Sequence, residues 1–376
     1  MKFRCERDVL AEALGAASRA ATGRTGHLPV LQGIRLELKG DRLTVTGSDL
    51  ELTVQHELTV AGQGDGGVVL PARLSADITK SFADAKVEMA AEDDVVEVSA
   101  GRSRFSIRSL AFDDYPRLGA PGGSSVTLPA SDFVEALRQV VRAASTDEQK
   151  LQLTGVLMAA EATGLRLVAT DSYRLAVRDL RGTTVLGADQ SVLVPARALQ
   201  EVIRLASGAE QLTLRLSERD ATFEAASARV TTRLIDQQFP NYRQLMPDAY
   251  PNLLTVDKEA LTDALRRVRL LARDTIPVRL TMGGDTLRLE AISNDKGTVT
   301  EEVDATFSGG EITIAFNAEY LASGIDACTG EQISIATKAE STRPAVLRGV
   351  GSDDFFYLLM PQKVLCLKQN LCSLKH

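Results

Sequence analysis

Two apolar periods alternate along this chain. Within residues 7–21, Val9, Leu10, Ala13, Leu14 and Ala17 recur at the three- and four-residue spacing of a single helical face. Residues 131–144 repeat it with Phe133, Val134, Leu137 and Val141, and residues 258–272 form a third such stretch. Shorter helices are predicted over 73–84, 197–207 and 318–328. Elsewhere polar and apolar residues alternate one by one, as at Ile34, Leu36 and Leu38, at Leu165 and Leu167, and at Leu287 and Leu289. That period predicts antiparallel strands joined by short turns bearing Gly or Asp.

The pattern is repeated. Leu70-Pro71-Ala72-Arg73 returns as Val194-Pro195-Ala196-Arg197 and, drifted, as Phe316-Asn317-Ala318-Glu319. Strands end on Ser48-Asp49, Thr170-Asp171 and Ser293-Asn294, and the first two units close on Tyr115-Pro116 and Phe239-Pro240. Pro71 to Pro195, Asp49 to Asp171 and Pro116 to Pro240 are offsets of 124, 122 and 124 residues. Three α+β units follow, each antiparallel sheet plus two helices: 1–122, 123–250 and 251–364, with an atypical tail over 365–376. Gly/Pro/Ser-rich 119–125 and the prolines of 246–252 mark the linkers.

A hydrophobic share of 44% and a charged share of 25% exclude wholesale disorder. Cys5, Cys328, Cys366 and Cys372 are too sparse for a disulfide framework or paired zinc knuckles. Charged Glu6, Arg7, Asp8 and Glu12 break any secretory core at the N-terminus, and no run of about 18 apolar residues occurs. A cytoplasmic protein without membrane attachment is expected.

The net charge of -7 means that nucleic-acid binding must rest on local basic surface. The helices supply one: Arg138 and Arg142 are four apart, Arg266, Arg269 and Arg273 three and four, and Lys80, Arg197 and Arg204 lie on the second helices. Acid gathers on strands and loops, as in 92–94, Asp113-Asp114, Glu301-Glu302 and Asp353-Asp354. A basic helical surface would meet phosphates without reading bases.

Catalytic signals are weak. Gly62-Gln63-Gly64-Asp65-Gly66-Gly67 satisfies GxGxxG but precedes a strand, so a hairpin loop is expected. His27, His56 and His376 stand singly, and Asp171-Ser172 suits a strand-end turn better than a nucleophile. No catalytic residue, metal or cofactor is predicted.

The segments MKFRCERDVL (1–10), LPVLQGIRLEL (28–38), TGSDLEL (46–52), GRSRFSIRSL (101–110), ATDSYRLAV (169–177), QFPNYRQLMP (238–247) and YLLMP (357–361) together resemble the bacterial sliding clamp, the beta subunit of DNA polymerase III, in an actinobacterial flavour. The resemblance spans residues 1 to 361. It implies a ring-shaped head-to-tail homodimer of three clamp domains, with helices lining a hole around duplex DNA. It further implies a non-enzymatic processivity factor that would tether the replicative polymerase in DNA replication, on the nucleoid.

By the resemblance, Arg24, Arg73 and Arg197 match DNA-touching positions; Lys80, Arg138, Arg142, Arg204 and Arg266 are added from helix placement. A peptide-binding pocket between the second and third domains is implied at Leu153, Thr170, Ser172, Tyr173, Arg174, Leu175, Pro240, Leu245, Asn317, Tyr320, Arg343, Pro344, Leu358, Met360 and Pro361. Its partners would be the polymerase III alpha subunit, the clamp loader, other polymerases, ligase and mismatch-repair proteins, through short linear motifs. The dimer interface would join Arg102, Arg104, Phe105 and Ile107 to Leu270, Glu301 and Glu302. The competing readings are a clamp paralogue with a secondary role such as inhibitor tolerance, and a repeat-built enzyme. Residues 365–376 depart from the family pattern.

Overall fold

In the computed structural model, residues 1–22, 28–116, 118–119, 122–245, 249–272 and 276–362 are described. Arg24, Arg273 and the tail 365–376 lie outside them. The six helices are α1 (Arg7–Ala20), α2 (Ala72–Ser81), α3 (Ala130–Val141), α4 (Ala196–Leu205), α5 (Lys258–Val268) and α6 (Ala318–Ala327), two for each repeat.

Each helix starts where the local chemistry favours it. Asp257 caps α5 by accepting from the Ala260 N–H, and Asn317 caps α6 by accepting from Glu319 and Tyr320. Pro71 and Pro195 precede α2 and α4, where a missing N–H costs nothing. Some ends fall short of the apolar pattern because the chain continues in tighter turns. Ala143 and Ala144 donate to Val140 and Val141, and Leu270 donates to Arg267. Val9 is a correction: Leu10, Ala13, Leu14 and Ala17 are buried, but Val9 faces outward. Gly47 lets α1 lie directly on its sheet, since a Cβ there would sit 1.9 Å from the Ala17 carbonyl oxygen.

Three antiparallel sheets carry the strands. A five-stranded sheet belongs wholly to the first repeat. In an eight-stranded sheet, four strands of the first repeat meet four of the second where Leu52–Thr59 pairs with Ala228–Arg233. In a twelve-stranded sheet, four strands of the second repeat meet eight of the third where Arg174–Arg181 pairs with Phe355–Leu359. Contacts therefore gather the chain into two compact units, 1–134 with 194–236 and 135–193 with 237–376, each containing one seam between repeats.

The core of the first repeat packs Phe3, Leu10, Leu14, Leu36 and Val98 between its two sheets and the helices α1 and α2. The glycine run at 62–67 is not a hairpin loop. Ala61–Gly64 pairs with Lys2–Glu6 in one sheet and Gly66–Pro71 with Gly33–Lys39 in the other, so the glycines carry the chain from sheet to sheet. Gly62 passes so close to Gly40 that a Cβ would meet its carbonyl oxygen at 2.0 Å.

Candidate functional site

The strand-end turns build the site at the second seam. Asp171 Oδ1 accepts the backbone N–H of Tyr173 (2.9 Å) and Arg174 (3.0 Å), holding Ser172 in the left-handed region at φ 82°. The first repeat does the same: Asp49 Oδ1 accepts from Glu51 (3.1 Å) and Leu52 (2.8 Å), with Leu50 at φ 72°. A non-glycine residue held at positive φ stores strain, which here presents the turn's side chains outward.

At the second seam those side chains are Tyr173 and Arg174. Tyr173 is 60% exposed and stacks on Tyr320 of α6 at 6.3 Å between centroids. The Arg174 guanidinium lies over the Tyr320 ring at 4.4 Å while its Nε donates to Asp171 Oδ2 at 2.9 Å. Burial opposes the charge on Arg174, but Tyr357 and Asp171 outweigh it and hold the guanidinium above its ordinary pKa. Tyr357 donates to the Tyr320 carbonyl at 3.0 Å, and the Met360 N–H donates to the Tyr173 carbonyl at 2.9 Å. Beneath them Leu175 pairs in register with Leu358, and both pack with Val346 and Tyr242.

The fifteen residues expected here separate into layers. Leu153, Thr170, Leu175 and Leu358 are buried and form the floor. Ser172, Tyr173, Leu245 and Met360 are exposed; Pro240 and Leu245 flank Tyr242 in the chain, and Pro344 precedes the strand paired to Leu359. Asn317 acts through its cap on α6, and Arg343 is exposed with no ion pair to this cluster. Asp171 and Tyr357 were missed as site residues. The recurrence of Asp49 and Asp171 at strand ends was the available signal for the first; nothing local marks the second. Aromatic and aliphatic walls over a fixed polar frame suit an extended peptide with apolar side chains.

The family of DNA polymerase III beta subunits matches this chain in three consecutive parts: its N-terminal domain at residues 1–119, its central domain at 127–241 and its C-terminal domain at 243–363. The beta sliding clamp of Streptomyces coelicolor is 34% identical over 378 residues, covering 97% of this chain and all of the relative. The chain belongs to the DNA polymerase III beta subunit family. Among solved structures, the Bacillus subtilis sliding clamp is 26% identical with a TM-score of 0.85, covering 97% of this chain and 100% of that one. The Pseudomonas aeruginosa sliding clamp bound to griselimycin is also 26% identical, with the same TM-score and coverage. The fold is thus three clamp domains, and the function is that of a sliding clamp, a processivity factor rather than an enzyme.

In this clamp chain the helix arginines are not equivalent. Arg73, Lys80, Arg138, Arg142 and Arg266 are exposed. Arg73 pairs loosely with Asp77 (4.0 Å), Arg142 with Asp326 (3.2 Å) and Arg266 with Asp263 (2.8 Å), solvent-facing pairs of little strength. Arg197 differs. It donates to Asp49, which is 1% exposed, at 2.6 and 3.2 Å and to Glu51 at 3.1 Å, fastening the second repeat to the first. Arg204 is likewise held, by the Glu201 carboxylate. Both were expected to face DNA, and both are tied to a buried carboxylate.

Two of the unpaired strand edges lie on the first and third repeats. Ser103–Arg108 is the terminal strand of its sheet, and Gly297–Asp304 pairs only with Thr286–Ser293 before the strand turns to its second neighbour. Arg102, Arg104 and Phe105 are exposed on the first edge, where Phe105 packs edge-on against Phe82 at 5.7 Å. Ile107 is a correction: at 4% exposure it belongs to the core and has no surface to offer. On the second edge Glu302 is exposed, and Glu301 accepts two bonds from Arg267, at 2.9 and 2.8 Å, which hold its pKa below the usual range. Among the described residues no helix is long and apolar enough to cross a membrane.

Proposed function

We propose that two copies of this chain close head to tail into a ring around duplex DNA, with domain boundaries near 122 and 250. The observation that carries this reading is a rule of the repeats. The strand after the strand-end turn of one repeat pairs with the last strand of the next: Leu52–Thr59 with Ala228–Arg233, then Arg174–Arg181 with Phe355–Leu359. Continued once more, the rule pairs Gly297–Asp304 of one copy with Ser103–Arg108 of another, each with a free edge. The helices follow suit. Arg19 of α1 reaches Glu201 of α4, Arg142 at the same position of α3 reaches Asp326 of α6, and the turn after α5 offers Leu270 to the partner's α2. Two such contacts related by a two-fold close the ring. Arg102, Arg104 and Phe105 would meet Leu270, Glu301 and Glu302, an apolar plug rimmed by opposite charge.

DNA would be held by Arg73, Lys80, Arg138, Arg142 and Arg266 through phosphates, and retained by topology rather than grip. Arg24 is a further contact that the resemblance implies. The pocket around Tyr173, Arg174, Tyr320 and Met360 would take short linear motifs of the polymerase alpha subunit, the clamp loader, other polymerases, ligase and mismatch-repair proteins; the griselimycin-bound relative supports a ligand site in this family. Work on chromosomal DNA would place the protein in the cytoplasm, on the nucleoid. Primer extension on a circular template, with clamp loader and polymerase III, tests the reading. Adding the protein should lengthen the products of a single binding event, and Tyr173→Ala should abolish most of the gain; unchanged lengths would refute it.

A further inference from the structure

On the helical surface of the first seam, one carboxylate holds two arginines. Glu201 of α4 is 6% exposed and accepts from Arg19 Nε at 3.0 and 2.9 Å, while Arg204, one turn along α4, donates to its Oε1. Arg19 is further tied to its own helix through the Gly15 carbonyl at 3.0 Å. The guanidinium groups keep one side in solvent, so they are not locked into the core as the carboxylate is. Both arginines border a small surface pocket that Glu12, His56 and Val230 also line. Released from the carboxylate, both side chains would have solvent to move into.

We propose that Glu201 sets how strongly this surface holds DNA, by keeping Arg19 and Arg204 from the phosphates. This rests on the proposed DNA-facing role of the helices. A buried carboxylate between two guanidinium groups leaves one net positive charge where its absence would leave two. It also fixes both donors in a geometry that phosphate must compete with. A protein retained by topology gains nothing from a tight grip, because every extra phosphate contact slows sliding. Glu201 is therefore a positioning residue that weakens the grip while joining α1 to α4.

The test is the salt dependence of binding to a labelled linear duplex, read by anisotropy in the full-length protein. Each phosphate neutralised adds about 0.9 to the slope of log K against log salt. Glu201→Gln should steepen the slope by about 1 to 2 and tighten low-salt binding about tenfold. Glu201→Gln combined with Arg19→Gln and Arg204→Gln should return it to the wild-type value. The double variant Arg19→Gln, Arg204→Gln with Glu201 intact avoids exposing a seam without its carboxylate, and should stay near the wild-type slope. A flattening by about 2 in that double variant would overturn the proposal, since the arginines would already be on phosphates. So would an unchanged Glu201→Gln slope beside a measurable wild-type slope, which leaves the DNA-binding reading intact. A wild-type slope of zero would remove both.

Discussion

Leu270 stands, counted from the helix start, where Arg142 stands in α3, yet Arg142 reaches Asp326 of the next repeat and Leu270 projects into solvent, 72% exposed. Among the described residues nothing covers it as Asp326 covers Arg142. An exposed leucine at the third copy of this repeated junction is where the second molecule of the proposed ring would dock. Leu270→Asp should cost about 3 kcal/mol or more per closed ring, raising the dimer dissociation constant at least about a hundredfold. Sedimentation velocity at low concentration should show the wild type at twice the chain mass and the variant as a monomer.

Arg197 and Asp49 form the firmest link between the first two repeats. Burial pushes the Asp49 carboxyl up, but Arg197 and the N–H groups of Leu52 and Glu51 outweigh it and hold the pKa below the usual carboxylate range. A lowered folded value contributes stability that is present above about pH 4 and lost as pH falls through it. Arg197→Ala leaves a buried carboxylate unpaired and should cost about 3 kcal/mol near neutral pH. The deficit should shrink as pH falls below about 4, so the two sets of thermal melts converge toward acid.

Asn317 holds Tyr320 in the pocket indirectly, by capping the helix that carries it. Asn317→Ala should cost about 1 kcal/mol and loosen the Tyr173–Tyr320 stack. Hydrogen exchange should rise over the first turn of α6 and leave α4 unchanged; equal protection in variant and wild type would count against the cap's role.

His56 lies on Leu52–Thr59 at the first seam, opposite Ala228. Burial lowers its pKa; Glu12 works against that and Arg19 with it. The stability it contributes is complete above about pH 6.5 and is lost as pH falls through the lowered folded value. His56→Gln should therefore flatten the fall in melting temperature below about pH 6.5 relative to the wild type. Parallel curves would show that the histidine does not titrate on unfolding.

The helices were legible because their period is local: Leu10, Leu14, Phe133 and Leu261 sit where a 3.6-residue repeat puts them. The triplication was legible from Pro71 and Pro195, and the cluster around Tyr173 and Tyr320 from family motifs laid over it. What escaped depends on distance. Arg197 meets Asp49 from 148 residues away, and Arg19 meets Glu201 from 182, so the sequence displays basic helix faces without displaying their neutralising partners. Ile107 lies in an otherwise exposed strand, and only its inward turn at a sheet edge reveals it as core. The glycines at 62–67 have hairpin composition, but pairing with two different sheets makes them a crossing.

The account's central claim is encirclement, and retention on nicked circular DNA after loading tests it most directly. The protein should stay on the circle through a salt wash and be lost after a single restriction cut. Equal release from circular and linear DNA would contradict the claim, leaving the arginine-bearing helices as an ordinary binding surface or none.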